Sequence, residues 1–134
     1  MAKRFKPVIP SPMQPAYDGY KYAPAVIAGN QIHISGLLGL GEDGSVPDDY
    51  AQQVENIFGL MELVLAEAGA TLADVFSMTS YHVGDLPRQM PDFIRVKTER
   101  LGEPHPAWTA IGVSQLALEG AQIEVSVIAF APTS

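Results

Sequence analysis

Two segments near the end of the chain constrain its fold more than any other feature. Residues 106–113 and 122–129 are rich in β-branched and small apolar side chains and are bounded by proline or glycine, as strands usually are. In the second segment the odd-numbered residues from Ile123 to Ala129 are apolar and share one face, whereas Glu124 lies on the other. A carboxylate in so apolar a strand faces either bulk water or a cavity, and that choice decides the functional interpretation.

A hairpin and a further strand are predicted earlier in the chain. Residues 25–28 and 31–35 are joined by Gly29 and Asn30, a two-residue turn in which both positions tolerate positive φ. Residues 75–83 alternate with the period of two that is typical of a strand.

Two amphipathic helices separate these strands. Apolar residues recur every three or four positions over residues 47–68, and Gly69 is placed to end this helix in the left-handed conformation. Polar residues such as Gln53 are predicted on its opposite, solvated face. A second helix begins at Asp85, which is a favourable N-cap, and ends at Gly102.

The element order β-β-α-β-α-β-β predicts an α+β fold, with one sheet and two helices packed on one face. We predict that residues 1–134 form a single domain, because no linker or internal repeat divides them. Residues 1–21 hold four of the 11 prolines and are predicted to form an extended N-terminal arm. The uncovered face still carries apolar side chains such as Ile111 and Ile128, so a closed oligomer is expected.

Charge and cysteine content exclude several classes of function. With a net charge of −7 and no basic patch, the chain has little to release counterions from phosphates, so no nucleic acid partner is expected. The absence of cysteine excludes disulfide and thiolate chemistry and suits a reducing compartment. Prolines, instead of an apolar run, follow the basic N-terminus, and no run approaches the roughly 18 residues of a membrane span. We therefore expect a soluble, cytoplasmic protein without a membrane partner.

The histidines do not form a recognisable metal site. His33, His82 and His105 are scattered, and no pair has the spacing that brings two ligands to one metal. No phosphate-binding glycine loop and no serine nucleophile elbow occur either. We predict no metal.

Glu124 is the strongest candidate for chemistry. Its neighbours Ile123 and Val125 are apolar, and it lies too far inside the strand to act as an end cap. In a partly dry cavity, desolvation raises the pKa of such a carboxyl group and makes it a usable general acid or base near neutral pH. The alternative is a strand glutamate that faces solvent or pairs with an arginine or lysine across a subunit boundary.

Several blocks of the chain together resemble the RidA/YjgF family. They are Ile34-Ser35-Gly36, the helix over residues 52–68 with Gly69, the motif Pro106-Ala107-x-Thr109, and Ile123-Glu124-Val125 with Ile128-Ala129. The resemblance covers residues 22–129, nearly the whole chain. It implies a chorismate-mutase-like α+β fold, assembled as a homotrimer with clefts between subunits.

The resemblance also implies an activity, the hydrolysis of reactive imines or enamines to ketones and ammonia without a cofactor. Glu124 matches the glutamate that positions and activates the attacking water. Tyr22 matches a tyrosine that packs on the substrate, and the turn after Ser35 and Gly36 shapes the pocket. Thr109 completes the predicted substrate-binding set.

Two positions depart from the family pattern. Trp108 stands where the family has an arginine that grips the substrate carboxylate, and Leu37 replaces a glutamine. An arginine–carboxylate pair contributes about 1.5–3 kcal/mol, so short carboxylate substrates are expected to bind roughly ten- to 150-fold more weakly. With Trp108 and Leu37 lining the pocket, the substrate is predicted to be more apolar. Alternatively, its carboxylate is held by backbone N–H groups or by another cation, for which Arg88, Arg95 and Lys97 are the candidates.

Two other classes of function stay open. A trimer that keeps the fold and the pocket without turnover would act as a small-molecule-binding or chaperone-like protein. An endoribonuclease, an older label of the family, suits the negative charge poorly.

Overall fold

A computed structural model describes residues 2–133 of the chain as strands and helices in an α+β arrangement. The strands are β1 (Lys6–Val8), β2 (Ala25–Ala28), β3 (Gln31–Leu38), β4 (Val75–His82), β5 (Ala107–Gly112) and β6 (Ile123–Phe130). The α-helices are α1 (Gln14–Tyr20), α2 (Tyr50–Glu67) and α3 (Leu86–Leu101), and short 3₁₀ turns cover Ser11–Met13 and Leu72–Asp74.

The strands form one mixed sheet in the order β1-β2-β3-β6-β4-β5. Neighbouring strands are antiparallel except β4 and β5, which run parallel and are connected through α3. β6, the last strand of the chain, therefore lies in the middle of the sheet, between β3 and β4. Its central position places Glu124 between two other strands.

Helices α2 and α3 cover one face of the sheet and enclose the core. Ile123, Val125, Val127 and Ala129 of β6 are each 3% exposed or less and point toward α2 and α3. We call the opposite surface, which carries Glu124, Ser126 and Ile128, the far face. The predicted α+β architecture, one sheet with two helices packed on one face, is confirmed.

The ends of the two long helices are fixed by their local sequence. The Asp49 side chain accepts a hydrogen bond of 3.0 Å from the backbone N–H of Gln52 at the start of α2. After this helix Gly69 has a φ of +81°, which suits glycine because it lacks a Cβ. Asp85 caps α3 through the backbone N–H of Arg88.

The prediction of one extended N-terminal arm is wrong. Lys6–Val8 adds β1 to the edge of the sheet, antiparallel to β2, and Gln14–Tyr20 forms α1. The prolines that suggested an arm are compatible with this structure. Pro15 lies in the first turn of α1, where its missing N–H has no intrahelical partner to lose.

Candidate functional site

Glu124 projects from the far face and is surrounded by apolar and aromatic neighbours. On β6 it lies directly opposite Leu38 of β3 on one side and Tyr81 of β4 on the other. Tyr81 in turn lies opposite Ile111 of β5, so the four side chains form one row across the sheet. We call Leu38, Glu124, Tyr81 and Ile111 the Glu124 row.

A bulge in β3 makes room for the carboxylate. Between Ile34 and Leu37 β3 contains one residue more than β6, and Gly36 lies in this bulge. A Cβ added at Gly36 would lie only 2.6 Å from Cδ of Glu124. The missing side chain at Gly36 therefore leaves the space that the carboxylate occupies, and Glu124 packs directly on the backbone of the bulge.

The carboxylate of Glu124 is partly desolvated and unpaired. The side chain is half-buried, and burial raises the pKa of its carboxyl group above the usual value. Among residues 2–133 no cation lies within salt-bridge distance of it and no donor is hydrogen-bonded to it. Within the chain the Glu124 carboxyl group is thus half-buried and has no intramolecular ion pair.

Ser35 anchors the bulge to the segment that carries Tyr22. The Ser35 hydroxyl donates to the backbone carbonyl of Ala23 at 2.7 Å, and its N–H donates to the carbonyl of Pro24 at 2.9 Å. Tyr22 directly precedes this anchored segment and is 44% exposed. The two hydrogen bonds of Ser35 thus hold the bulge of β3 against residues 23–24, while the side chain of Tyr22 is accessible to solvent.

Leu37 does not face the same side of the sheet as Glu124. It is 6% exposed and belongs to the core beneath the helices. The extra residue in the bulge reverses the alternation of side chains beyond Gly36, so Leu38 rather than Leu37 lies beside the carboxylate. The expectation that Leu37 makes the pocket drier is wrong, and Leu38 takes that place.

Trp108 also lies on the helix side of the sheet. Its ring packs against Phe93 of α3 with centroids 5.4 Å apart, and its Nε1–H donates to the Ser80 hydroxyl at 2.8 Å. Within the chain the indole and Glu124 therefore lie on opposite faces of the sheet, and the prediction that Trp108 forms a pocket wall beside Glu124 does not hold within one copy of the chain. Strand alternation places Thr109, the next residue, on the far face, opposite Thr79.

The Trp108 hydrogen bond continues into a buried polar network that the sequence did not reveal. His82, 1% exposed, contacts the Ser80 hydroxyl through Nε2 at 2.8 Å and Gln89 Oε1 through Nδ1 at 3.0 Å. Gln89 donates from Nε2 to the carbonyl of Val83, so its oxygen accepts from His82 Nδ1–H. Burial lowers the pKa of His82, which stays a neutral imidazole that accepts from Ser80.

Two cavities flank the sheet. A shallow one of about 190 Å³ lies on the far face beside the Glu124 row and is lined in part by His33, Thr79 and Ser126. A larger one of about 360 Å³ lies at the other end of the strands, against Phe76 and Phe130, and does not include Glu124. Among residues 2–133, no three histidine, aspartate or glutamate side chains converge in a metal-binding arrangement.

Comparisons with known proteins identify relatives over nearly the whole chain. A family model described as Endoribonuclease L-PSP matches residues 14–131. The RutC family protein YjgH of Escherichia coli is 37% identical over 126 residues, which cover 93% of this chain and 94% of that protein. A solved structure of protein YjgH superimposes with a TM-score of 0.86 at 35% identity, over 98% of this chain and 100% of the other.

A more distant relative has a named activity. A protein of Dermatophagoides farinae called 2-iminobutanoate/2-iminopropanoate deaminase is 27% identical over 127 residues, covering 92% of this chain and 94% of its own.

No helix within residues 2–133 is both long and apolar enough to cross a membrane.

Proposed function

Since the chain belongs to the YjgF/RidA family, we propose that it is a cofactor-free hydrolytic deaminase of reactive imines or enamines. The relative named as a 2-iminobutanoate/2-iminopropanoate deaminase supports this class of reaction. The observation that carries the proposal is the state of Glu124, which is half-buried, packed on Gly36 and free of any ion pair among residues 2–133. A purely architectural glutamate at this depth is expected to have a cation or a donor beside it.

The chemistry follows from a carboxylate that can both accept and return a proton. A water molecule beside Glu124 loses a proton to the carboxylate as its oxygen bonds to the imine carbon. That proton then passes to the imine nitrogen, which gives a carbinolamine. The carboxylate next takes the proton of the new hydroxyl group and returns it to the nitrogen, the carbon–nitrogen bond breaks, and a ketone and ammonia leave. A raised pKa brings the carboxyl group closer to working pH, where it serves as base and then as acid.

The side chains around Glu124 indicate the class of substrate. Its row consists of Leu38, Tyr81 and Ile111, none of which is a cation. Tyr22, Ser35, Gly36 and Thr109 remain the proposed substrate-binding residues from the sequence. We therefore propose a substrate that is more apolar than a short 2-imino acid, or one whose carboxylate is bound by groups outside this row.

A homotrimer in the cytoplasm is part of the proposal. The far face has apolar side chains left accessible in one protomer, among them Ile111 at 40% and Phe130 at 49% exposure. Covering such a face by further copies of the chain removes this apolar surface from water. The absence of cysteine is consistent with a reducing compartment.

The second candidate is a trimeric binding or chaperone-like protein without turnover. It is favoured by the lack of a cation in the Glu124 row, which leaves no obvious group in one protomer to orient a carboxylate substrate. An endoribonuclease is a weaker third candidate, because a net charge of −7 disfavours RNA.

The test compares ammonia release from imines generated in situ by an amino-acid oxidase acting on apolar, aromatic and short amino acids. Wild type is compared with Glu124→Gln and Glu124→Ala, and Glu119→Gln serves as the control because Glu119 is exposed. We expect acceleration by wild type and the control, and loss of about 10²–10⁴-fold with either Glu124 variant. Equal rates for all proteins on every substrate would refute the deaminase, and ligand-induced thermal stabilisation without product would favour the binding protein.

A further inference from the structure

The larger cavity, of about 360 Å³, is built from segments that are far apart in the sequence. It lies between the 3₁₀ turn Leu72–Asp74, the C-terminal end of α3, the connection from α3 to β5, and the adjoining ends of β4 and β6. Pockets that hold small molecules have volumes of about 300–1,000 Å³. The cavity is therefore large enough for a compact ligand with one ring, and we call it the Phe76 cavity.

Two phenylalanines form an aromatic wall of the Phe76 cavity. Between Val75 and Ser77 β4 contains one residue more than β6, so Phe76 lies in a second bulge of the sheet. Its ring packs on the ring of Phe130, with centroids 4.4 Å apart. Phe130 is a large apolar side chain and is nevertheless 49% exposed. The ring pair thus leaves aromatic surface accessible in the cavity, which both residues line.

Other walls of the cavity are held in place by their local structure. Thr71 and Asp74 form a capping box around the turn that carries Leu72, in which Asp74 Oδ2 accepts from the Thr71 N–H at 2.9 Å. The rings of Pro104 and Pro106 fix the backbone φ angles of the connection to β5. A cavity with such walls loses little conformational entropy when a ligand binds.

The charged groups that line the cavity are acidic. Asp74 and Glu103 contribute carboxylates, whereas no lysine or arginine among residues 2–133 lines it. His105 is the one basic side chain in this lining, and its Nε2 lies 3.7 Å from Oε1 of Glu103. Together with the net charge of −7, this lining disfavours an anionic ligand and favours a cation.

We propose that the Phe76 cavity binds a small primary amine with an aromatic or other apolar body, in its protonated form. The faces of Phe76 and Phe130 attract a cation and also pack well on an apolar ring. A primary ammonium group has three N–H donors, and the carboxylate of Glu103 is a matching charged acceptor at the exposed side of the cavity.

This site is separate from the group on which the proposed deaminase depends. Glu124 does not line the Phe76 cavity. Amine binding therefore does not require Glu124, and Glu124→Gln should bind the amine as wild type does. The amine site and the deaminase can each fail while the other stands.

His105 supplies a local readout because the chain has only three histidines. Its ring Cε1–H gives one peak in a ¹H–¹³C NMR spectrum, which is assigned by its loss in His105→Gln. The probe is phenethylamine, with phenethyl alcohol as its neutral counterpart and phenylacetate as an anion. The variants, all made in the full chain in its native assembly, are Glu103→Gln, Phe130→Leu and the control Glu119→Gln, since Glu119 is exposed and outside the lining.

We expect a saturable shift of the His105 peak with phenethylamine in wild type, Glu119→Gln and Glu124→Gln alike. The alcohol and phenylacetate should bind about five-fold or more weakly, because they lack the positive charge. Glu103→Gln should weaken amine binding about two- to five-fold, since this carboxylate is largely exposed. Phe130→Leu should weaken it about three- to ten-fold, because one aromatic face is lost.

The dispersion of each spectrum reports folding, and if one variant does not fold the other decides. Unchanged amine binding in the folded variants would overturn the assignment of Glu103 and Phe130 to the site. Equal or tighter binding of the alcohol or of phenylacetate would overturn the ligand class. An unshifted His105 peak in wild type, as when another copy of the chain fills the cavity, would overturn the site itself.

Discussion

At Gly36 the missing side chain leaves space that the Glu124 carboxylate fills. A Cβ there would lie 2.6 Å from Cδ and 2.9 Å from Cγ of Glu124, whereas a Cβ at Gly39 would lie 2.5 Å from Cα of Gln53 on α2. The two glycines of β3 and its following loop thus meet different kinds of neighbour. One contacts the end of a side chain that can rotate, and the other contacts helix backbone that cannot.

This difference predicts opposite outcomes for two identical substitutions. Gly36→Ala should change the free energy of unfolding by less than about 1 kcal/mol, because only the Glu124 side chain must move. It should nevertheless abolish most of the proposed activity by displacing the carboxylate. Gly39→Ala should destabilise the protein by about 1–3 kcal/mol, because the helix backbone must shift. Urea denaturation and ammonia release measure the two effects, and equal destabilisation would contradict the packing described here.

The unpaired Glu124 also predicts how stability depends on pH. Its pKa is higher in the folded than in the unfolded protein, so the folded state holds the proton more tightly. Its contribution favours folding below the unfolded pKa and is lost as pH rises through the folded value. At pH values above the folded-state pKa of Glu124, the Glu124→Gln variant should therefore be more stable than wild type. This difference in stability should shrink as the pH falls below that pKa. Thermal melts of the two proteins as a function of pH test this, and a difference that grows toward acid pH would contradict the raised pKa.

At the scale of elements, a chain of buried polar groups joins β5, β4 and α3. Trp108 donates to Ser80, Ser80 contacts His82, and His82 contacts Gln89, which donates onward to the carbonyl of Val83. Every member has a partner, so the network is compatible with the apolar surroundings. It holds the parallel edge strand and the helix above it in register.

Removing the central hydroxyl of this network should be costly. Ser80→Ala leaves Trp108 Nε1–H without an acceptor and His82 Nε2 without a donor, and each unsatisfied buried group costs about 1–3 kcal/mol. We expect a loss of about 2–4 kcal/mol in the free energy of unfolding and a shift in Trp108 fluorescence. Ser126→Ala is the control, because Ser126 is half-buried on the far face and makes no side-chain hydrogen bond among residues 2–133. Similar losses in the free energy of unfolding for both variants would show that the hydrogen bonds of Ser80 do not stabilise the fold.

The elements were readable from the sequence where periodicity and caps are local, as in α2 with Asp49 and α3 with Asp85. The misassignments have non-local causes. The bulge at Gly36 reverses the faces of Leu37 and Leu38. The hydrophobic periodicity of the sequence does not indicate that β3 contains this extra residue. Gln53 is fully buried, because its side chain binds the carbonyls of Pro47 and Gly120 and the N–H of Gln122, 69 residues away in sequence. Glu124 was identified because an acidic residue interrupts an apolar strand, which is a local signal.

At the scale of the whole molecule, the two surfaces of the layered structure have different characters. Exposed apolar side chains occur on both, for example Ile111 at 40% on the far face and Leu63 at 38% on α2. Only the far face is a sheet surface without helices α2 and α3 against it. If it is the trimer surface, a charge placed there should affect assembly, and a charge on α2 should not.

Ile111→Lys and Leu63→Lys form the matched pair for this prediction. Sedimentation or light scattering of wild type should give three times the 14.4 kDa mass of one chain. We expect Leu63→Lys to keep that mass and Ile111→Lys to lose it, because assembly on the far face would bury an unpaired lysine charge in each copy of the chain. Circular dichroism establishes that each variant is folded. A monomeric wild type would refute the trimer, and unaltered assembly of folded Ile111→Lys would exclude Ile111 from the contact.

The additional residue in β3 has a practical meaning for protein engineering. Because it swaps the inward and outward positions that follow it, a transplanted segment of the same length but without the bulge would turn Leu38 into the interior and bring Leu37 out beside the carboxylate. A segment one residue shorter and without the bulge would keep both leucines in place. Residues grafted between paralogues must therefore be counted from the irregular position in the strand and not from the nearest matching letters. Two chains with the same local sequence can therefore place different side chains beside the same bound small molecule.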